Sequence, residues 1–149
     1  MNSTITSAII SAVISAFVSW GVSLFSARRN DKSSLEKELS EILKIGIEHP
    51  HFEQEVFTNA WEPKKQINDE RYAAYELYAT MVFNHLEKWC RYHSFKLEDV
   101  RKDIDIDSWV KLHQAYWNTP TGIYENIRGY DLRFYNLVNT QILRKGRVK

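Results

Sequence analysis

Residues 5–27 carry no charged side chain, and this limits what the chain can fold into more than any other feature. At a rise of about 1.5 Å per residue, a helix over this stretch is roughly 34 Å long, enough to cross the hydrocarbon core of a bilayer. Its larger side chains are mostly isoleucine, valine and phenylalanine, which suit contact with lipid. The sequence therefore predicts a transmembrane helix near the N-terminus.

Serine recurs at every fourth position of this stretch. The five residues are Ser7, Ser11, Ser15, Ser19 and Ser23. Small residues four apart let two helices approach closely, and their hydroxyls can hydrogen-bond across the contact. Alternatively, each serine bonds a carbonyl of its own preceding turn and has no further role. We interpret the serines as a packing face and expect the span to self-associate.

Basic residues follow the apolar stretch, and none precedes it. Arg28, Arg29 and Lys32 therefore place the N-terminus outside and the rest of the chain in the cytoplasm, by the positive-inside rule. The single cysteine, Cys90, permits no internal disulfide, as expected for a reducing compartment. Because the net charge is only +1, we expect no strong binding to DNA. We expect a single-pass protein of the inner or plasma membrane.

The remaining chain reads as helical, so the predicted fold class is all-α, with a single N-terminal transmembrane helix and a compact cytosolic helical domain. Ser33 and Glu36 have the spacing of a capping box, and an apolar stripe at helical spacing follows them as far as Pro50. We divide the chain into a span with its basic flank (1–30), a connecting amphipathic helix (31–48) and a cytosolic ligand-binding domain (49–149).

Four further helices are expected in the cytosolic domain. A short one carries Phe52 to Trp61 and closes at Pro63, and a long core helix begins at Asn68 or Asp69. Asp107 is predicted to cap a third, which ends near Asn118. Asp131 is predicted to open the last, with Gly146 as its C-cap. Residues 95–97 or 103–107 are expected to form a short strand at most.

Catalytic signatures are missing from the sequence. It has no phosphate-binding glycine loop, no His-Glu-x-x-His and no Gly-x-Ser-x-Gly. Asp103, Asp105 and Asp107 imitate the start of a calcium loop, but Ser108 stands where that loop needs glycine. His49, His51, Cys90 and His93 are too far apart in the sequence to predict a zinc site. We expect no enzyme activity, no cofactor and no metal.

Aromatic, amide and basic residues are frequent in the second half of the chain. Aromatic faces stack on bases, asparagine pairs with base edges and arginine pairs with phosphate. This chemistry predicts a nucleotide ligand. The predicted ligand contacts are Arg91, Trp117, Asn118, Arg128, Tyr130 and Arg133. The competing interpretation is that tyrosine and tryptophan at helical spacing belong to the core.

In its layout, the chain resembles the small membrane-anchored effectors of bacterial type III CRISPR defence that cyclic tetra-adenylate activates. The resemblance lies in an N-terminal membrane segment, no nuclease motif and a cytosolic domain of about this size. Residues 49–61, 72–87 and 109–135 also look like a broader class of single-span bacterial proteins. The resemblance implies a bacterial inner-membrane location, cyclic tetra-adenylate as ligand and membrane lipid as partner.

The resemblance also implies a mechanism for antiviral defence. Four cytosolic domains of a homotetramer would bind the four adenylates of the ring, since closed symmetric oligomers present equivalent sites. The helix over residues 33–47 would carry the rearrangement to the span, which would open a pore or disrupt the bilayer. Two other hypotheses stay open. One is a non-enzymatic anchor or scaffold that docks a partner protein, and the other is a toxin-like membrane protein that needs no ligand.

Overall fold

The computed structural model describes residues 2–62, 69–119 and 129–144, and its description of side chains excludes residues 2–22, 24 and 25. Within these ranges the regular structure is helical and no strand is present, so the all-α prediction is confirmed. The chain divides into two compact units, with the boundary between Glu36 and Lys37. The assignment of residues 49–149 as a ligand-binding domain stays a prediction.

The first helix, α1 (Asn2–Glu48), ends two residues before Pro50, as predicted. It is continuous through Ser33, so the predicted capping box is wrong: a capping residue must stand at a helix start. In the part of the chain whose side chains are described, no helix is long and apolar enough to cross a membrane. The side chains of Ser7, Ser11, Ser15 and Ser19 lie outside that description, and Ser23 is exposed.

The central helix of the second unit is α3 (Glu70–Tyr92). The Asp69 side chain accepts a hydrogen bond from the Arg71 backbone N–H and caps the helix, at one of the two positions where the sequence predicted its start. Nine of its side chains are buried between Tyr75 and Cys90, and successive members are one to three residues apart. This wide apolar face makes α3 the helix on which the others pack.

The last turns of α1 are fixed to α3 by a buried histidine. Trp89 Nε1 donates to His85 Nε2 at 2.9 Å, so the other ring nitrogen, Nδ1, carries the proton and donates to Glu38 Oε2 at 3.3 Å. Lys88 Nζ donates to the second oxygen of Glu38 at 2.6 Å. His85 is fully buried, as is Ile42 one turn after Glu38. Residues 37–48 therefore pack on α3 as part of the second unit, with Ile42 in its core.

Between α1 and α3 the sequence predicted one short helix, and the structure has two. A 3₁₀ turn covers Pro50–Glu53, and α2 covers Glu55–Asn59. Gln54 separates them in an extended conformation, and Trp61 follows the second. Pro63 lies outside the described residues. Phe52 is buried against Tyr75 and Tyr78 of α3, so the aromatic contacts decide where these short helices lie.

After α3 come three short helices where the sequence predicted one helix and a possible strand. They are α4 (Leu97–Asp103), α5 (Ile106–Leu112) and α6 (Gln114–Trp117). The reversal after α3 uses positive φ angles at Ser94 (53°) and Phe95 (61°), which the sequence does not signal because neither residue is glycine.

The predicted cap at Asp107 is wrong, because the side chain that caps α5 is that of Asp105, which accepts from Ser108 N–H. Asp107 instead accepts two hydrogen bonds from Arg101.

Asp131 opens the last helix as predicted, accepting from the Arg133 backbone N–H ahead of α7 (Leu132–Leu137). The helix continues as a π-helical turn over Val138–Ile142, in which both end residues are buried. Gly146, the predicted C-cap, lies outside the described residues. A π turn shifts the side chains that follow it around the helix axis, and such turns are frequent at functional sites.

Candidate functional site

A cleft of about 1070 Å³ opens between the 3₁₀ turn and α2 on one side and α5, α6, α7 and the π turn on the other. Two acidic, two basic and several amide and hydroxyl side chains line it, together with two aromatic rings and a few aliphatic groups. The lining residues are Glu53, Glu55, Ser108, Trp109, Lys111, Leu112, Gln114, Asn118, Tyr135, Asn136, Asn139, Thr140, Ile142, Leu143 and Arg144. This volume is at the upper end of the range for small-molecule sites.

Two cations of the cleft are available to a ligand. Lys111 lies in the last turn of α5, and Arg144 follows the π turn, which contacts α5. Within the described ranges, neither has a carboxylate at ion-pair distance, and both are exposed. A phosphate between them would gain charge-assisted hydrogen bonds without first breaking an ion pair.

Amide side chains form much of the remaining wall. Gln114, Asn118 and Asn136 are exposed, so their amide groups can turn toward a ligand. Asn139 is held in place: its Nδ2 donates to the Tyr135 carbonyl at 2.8 Å, and its Oδ1 accepts from Trp117 Nε1 at 3.3 Å. Trp109 and Tyr135 are half-buried and add aromatic surface. Amides and aromatic rings together suit the edges and faces of a planar heterocycle.

The acidic rim of the cleft connects to a buried polar network. Tyr78 of α3 donates a hydrogen bond to Glu53 Oε1. The same oxygen lies 3.9 Å from Nε2 of His113, a fully buried residue between α5 and α6. His113 Nδ1 is 2.9 Å from the Tyr75 hydroxyl, whereas Nε2 has no hydrogen-bond partner among the described groups.

Charge and burial assign the protons of this network. A proton on Nε2 of His113 faces the Glu53 carboxylate favourably, whereas a lone pair would be repelled, so Nδ1 accepts from the Tyr75 hydroxyl. Burial lowers the pKa of His113 to about 4. It also raises the pKa of Tyr75 and of Tyr78. His113 is therefore a neutral imidazole at neutral pH, with one N–H pointing at Glu53.

Among the predicted ligand contacts that the structure describes, only Asn118 lines the cleft. Trp117, the preceding residue, is 1% exposed and packs its ring on Phe83 and Phe134 in the core. Arg128 lies outside the described residues. Contact of each of these residues with a ligand stays a prediction.

Three other predicted residues gather at the start of α7. Asp131 accepts two hydrogen bonds from the Arg133 guanidinium, and Arg91 lies 3.9 Å from its carboxylate. These arginines hold the pKa of Asp131 down at about 2. Arg133 also covers the Phe95 ring at 4.1 Å, and half-buried Tyr130 packs on Trp117. Both arginines are thus already engaged by carboxylates, and they lie outside the lining of the cleft.

The sequence did not indicate Glu53, Lys111 or Arg144 as ligand contacts. Their types are common on any surface, and only the packing of elements far apart in the sequence makes them neighbours. A signal existed in the order Asn136, Asn139, Thr140, where polar residues at spacings of three and four interrupt an apolar helix. Polar side chains in that pattern indicate one continuous polar face.

The described residues contain no group of three or more His, Cys, Asp or Glu side chains that could hold a metal ion. Comparisons with protein-family models, with curated proteins and with solved structures find no match to the chain. The functional hypothesis therefore depends on the chemistry of the cleft.

Proposed function

We propose that the second unit is a receptor for a cyclic oligoadenylate, cyclic tetra-adenylate being the expected ligand, and that its occupancy perturbs or opens a membrane-embedded helix bundle. The role is non-enzymatic: the ligand is a signal, and the response is loss of membrane integrity in antiviral defence. The observation that carries the proposal is the cleft, where two available cations stand beside amide and aromatic side chains.

The chemistry of the cleft supports a nucleotide over a purely apolar or purely ionic ligand. Lys111 and Arg144 suit the phosphate, while Asn118, Asn136 and Gln114 suit a base edge. The volume of about 1070 Å³ is ample for one adenylate with its phosphate. A cyclic tetra-adenylate would then engage four such clefts, which requires a tetramer with fourfold symmetry.

The first prediction concerns the two cations. Lys111→Ala and Arg144→Ala should each weaken binding of cyclic tetra-adenylate by about 10- to 100-fold, since each removes a charge-assisted hydrogen bond. Isothermal titration calorimetry on the full-length protein in detergent measures the effect. Lys37→Ala is the matched control, because Lys37 is exposed outside the cleft. Failure of every ring size to bind the parent protein would rule the receptor out.

A second prediction concerns the serine face in the span over residues 5–27. Changing Ser11, Ser15 and Ser19 together to leucine should shift the complex in detergent from oligomer to monomer, because the larger side chains block close helix approach. The control variant changes Ile10, Ile14 and Val18 to leucine, which nearly conserves volume outside the serine face. Mass measurement of the purified complexes decides. Equal masses for both variants would contradict the packing role.

One observation favours the scaffold hypothesis as the second candidate. Leu77 and Met81, one turn apart on α3, are 70% and 38% exposed, although α3 is otherwise the core helix. Exposed apolar side chains on one helix face suit a protein partner. The calorimetric titration separates the two functions, because a scaffold has no reason to bind cyclic oligoadenylates in a manner selective for ring size.

A further inference from the structure

Glu53 is the point at which the cleft meets the last turns of α1. Its carboxylate lines the cleft, accepts from Tyr78 of α3 and faces His113 Nε2 at 3.9 Å. Gly46 of α1 completes this arrangement. A Cβ at Gly46 would lie 3.1 Å from the Tyr78 hydroxyl oxygen and 3.7 Å from Glu53 Oε1, so a larger residue there would push on the Tyr78 hydroxyl.

The carboxylate has two alternative donors. It now accepts from Tyr78, while the buried His113 Nε2 has no hydrogen-bond partner among the described residues and lies too far from Glu53 Oε1 for a hydrogen bond. A shift of about 1 Å toward His113 would satisfy the imidazole N–H and release the Tyr78 hydroxyl. Because Tyr78 lies directly beneath Gly46, its release would change the packing of the α1 turn above it.

An anion in the cleft would drive that shift. Lys111 and Arg144 attract the anion into the same space that Glu53 lines, and like charges at short range repel. We infer that Glu53 is a positioning residue that couples occupancy of the cleft by an anion to the packing of the last turns of α1. The inference rests on the proposed function for the anion site and adds the route by which its occupancy reaches α1.

The test uses full-length protein in detergent with a fluorescent reporter on α1. Ile47→Cys supplies the label site, since Ile47 is 79% exposed. The native Cys90 is buried, which raises the pKa of its thiol to about 12 and keeps it unreactive. The probe is inorganic triphosphate, with binding followed by calorimetry and the response of α1 by fluorescence. We expect triphosphate to bind and to change the fluorescence.

Two glutamine variants separate coupling from binding. Glu53→Gln should still bind triphosphate, at least as tightly as the parent, but lose the fluorescence change. Glu55→Gln removes the same charge from the same cleft without a contact to Tyr78, and it should keep the change. Equal fluorescence responses in the two variants would overturn the inference.

A third variant tests the coupling without any ligand. Tyr78→Phe removes the hydroxyl that holds Glu53, so the labelled protein should show the triphosphate-bound fluorescence before triphosphate is added. A signal identical to that of the unliganded parent would contradict the coupling. Absence of triphosphate binding in calorimetry would instead remove the proposed anion site, and the inference with it.

Discussion

Replacing Trp117 with alanine is expected to lower the free energy of unfolding by about 3–5 kcal/mol. The indole ring is 1% exposed and lies with its centroid 4.7 Å from that of Phe83 and 5.5 Å from that of Tyr130. Alanine would leave a large cavity among rigid aromatic neighbours that cannot collapse into it. The substitution would also remove the hydrogen bond from Trp117 Nε1 that holds Asn139 in the wall of the cleft. Chemical denaturation of the full-length protein measures the change.

The neighbouring Asn118 is the control for this prediction. Its side chain is exposed and lines the cleft, so Asn118→Ala should change stability by less than about 0.5 kcal/mol while weakening ligand binding. We thus expect Trp117 to serve stability and Asn118 to serve ligand binding, whereas a Trp117 ring that stacked on a base would serve binding. A small stability loss in Trp117→Ala, together with loss of ligand binding, would favour that stacking interpretation and contradict the structure.

Acid is expected to destabilise the second unit through His113. Burial lowers the pKa of this histidine from about 6.5 to about 4. Between these pH values the histidine is therefore protonated in the unfolded chain and neutral in the folded chain. The contribution of His113 to the free energy of unfolding is therefore fully present well above pH 6.5, and it is lost as the pH falls toward 4. Between pH 7.5 and 4.5 the loss should be about 2–3 kcal/mol from this residue. His85, whose pKa burial also lowers, acts in the same direction.

The groups facing His113 set the sign of this effect. Tyr75 and Tyr78 are buried hydroxyls, and Glu53 at 3.9 Å is the nearest acidic oxygen. That carboxylate favours the imidazolium, but the loss of solvation in a fully buried site outweighs it.

Urea denaturation at a series of pH values tests the prediction. In His113→Gln, the loss of unfolding free energy between pH 7.5 and 4.5 should be smaller by about 2–3 kcal/mol. His49→Gln, at an exposed position, should show the same loss as the parent protein. Equal slopes in both variants would exclude His113 as the source.

Several elements could be predicted because their signals are local. The long apolar periodicity after Asp69 and the capping carboxylates of Asp69 and Asp131 specify α3 and the start of α7. Pro50 disfavours the helical conformation at the residue before it, so α1 ends there for a local reason. These features depend on backbone geometry and helix faces within a few residues.

Other features could not be predicted, because they depend on contacts between distant residues. Ser94 and Phe95 adopt positive φ without glycine, at a conformational cost that the surrounding packing offsets. The turn leads into α4, where the sequence predicted a short strand at most. The sequence predicted Trp117 as a ligand contact, which stays a prediction, and it could not show that the Trp117 ring packs on Phe83 and Phe134. An aromatic ring at helical spacing has the same local pattern in both cases.

The sequence by itself determined a helical protein with an uncharged N-terminal stretch, one central amphipathic helix and a last helix capped by Asp131, because charge, periodicity and capping are properties of neighbouring residues. Only the tertiary structure decided that Glu53, Lys111 and Arg144 share one cleft and that His113 Nε2 lies 3.9 Å from Glu53. Those relations join residues up to 91 positions apart, counted from Glu53 to Arg144. Such distances are set by how helices pack, and packing depends on the shape of the whole core.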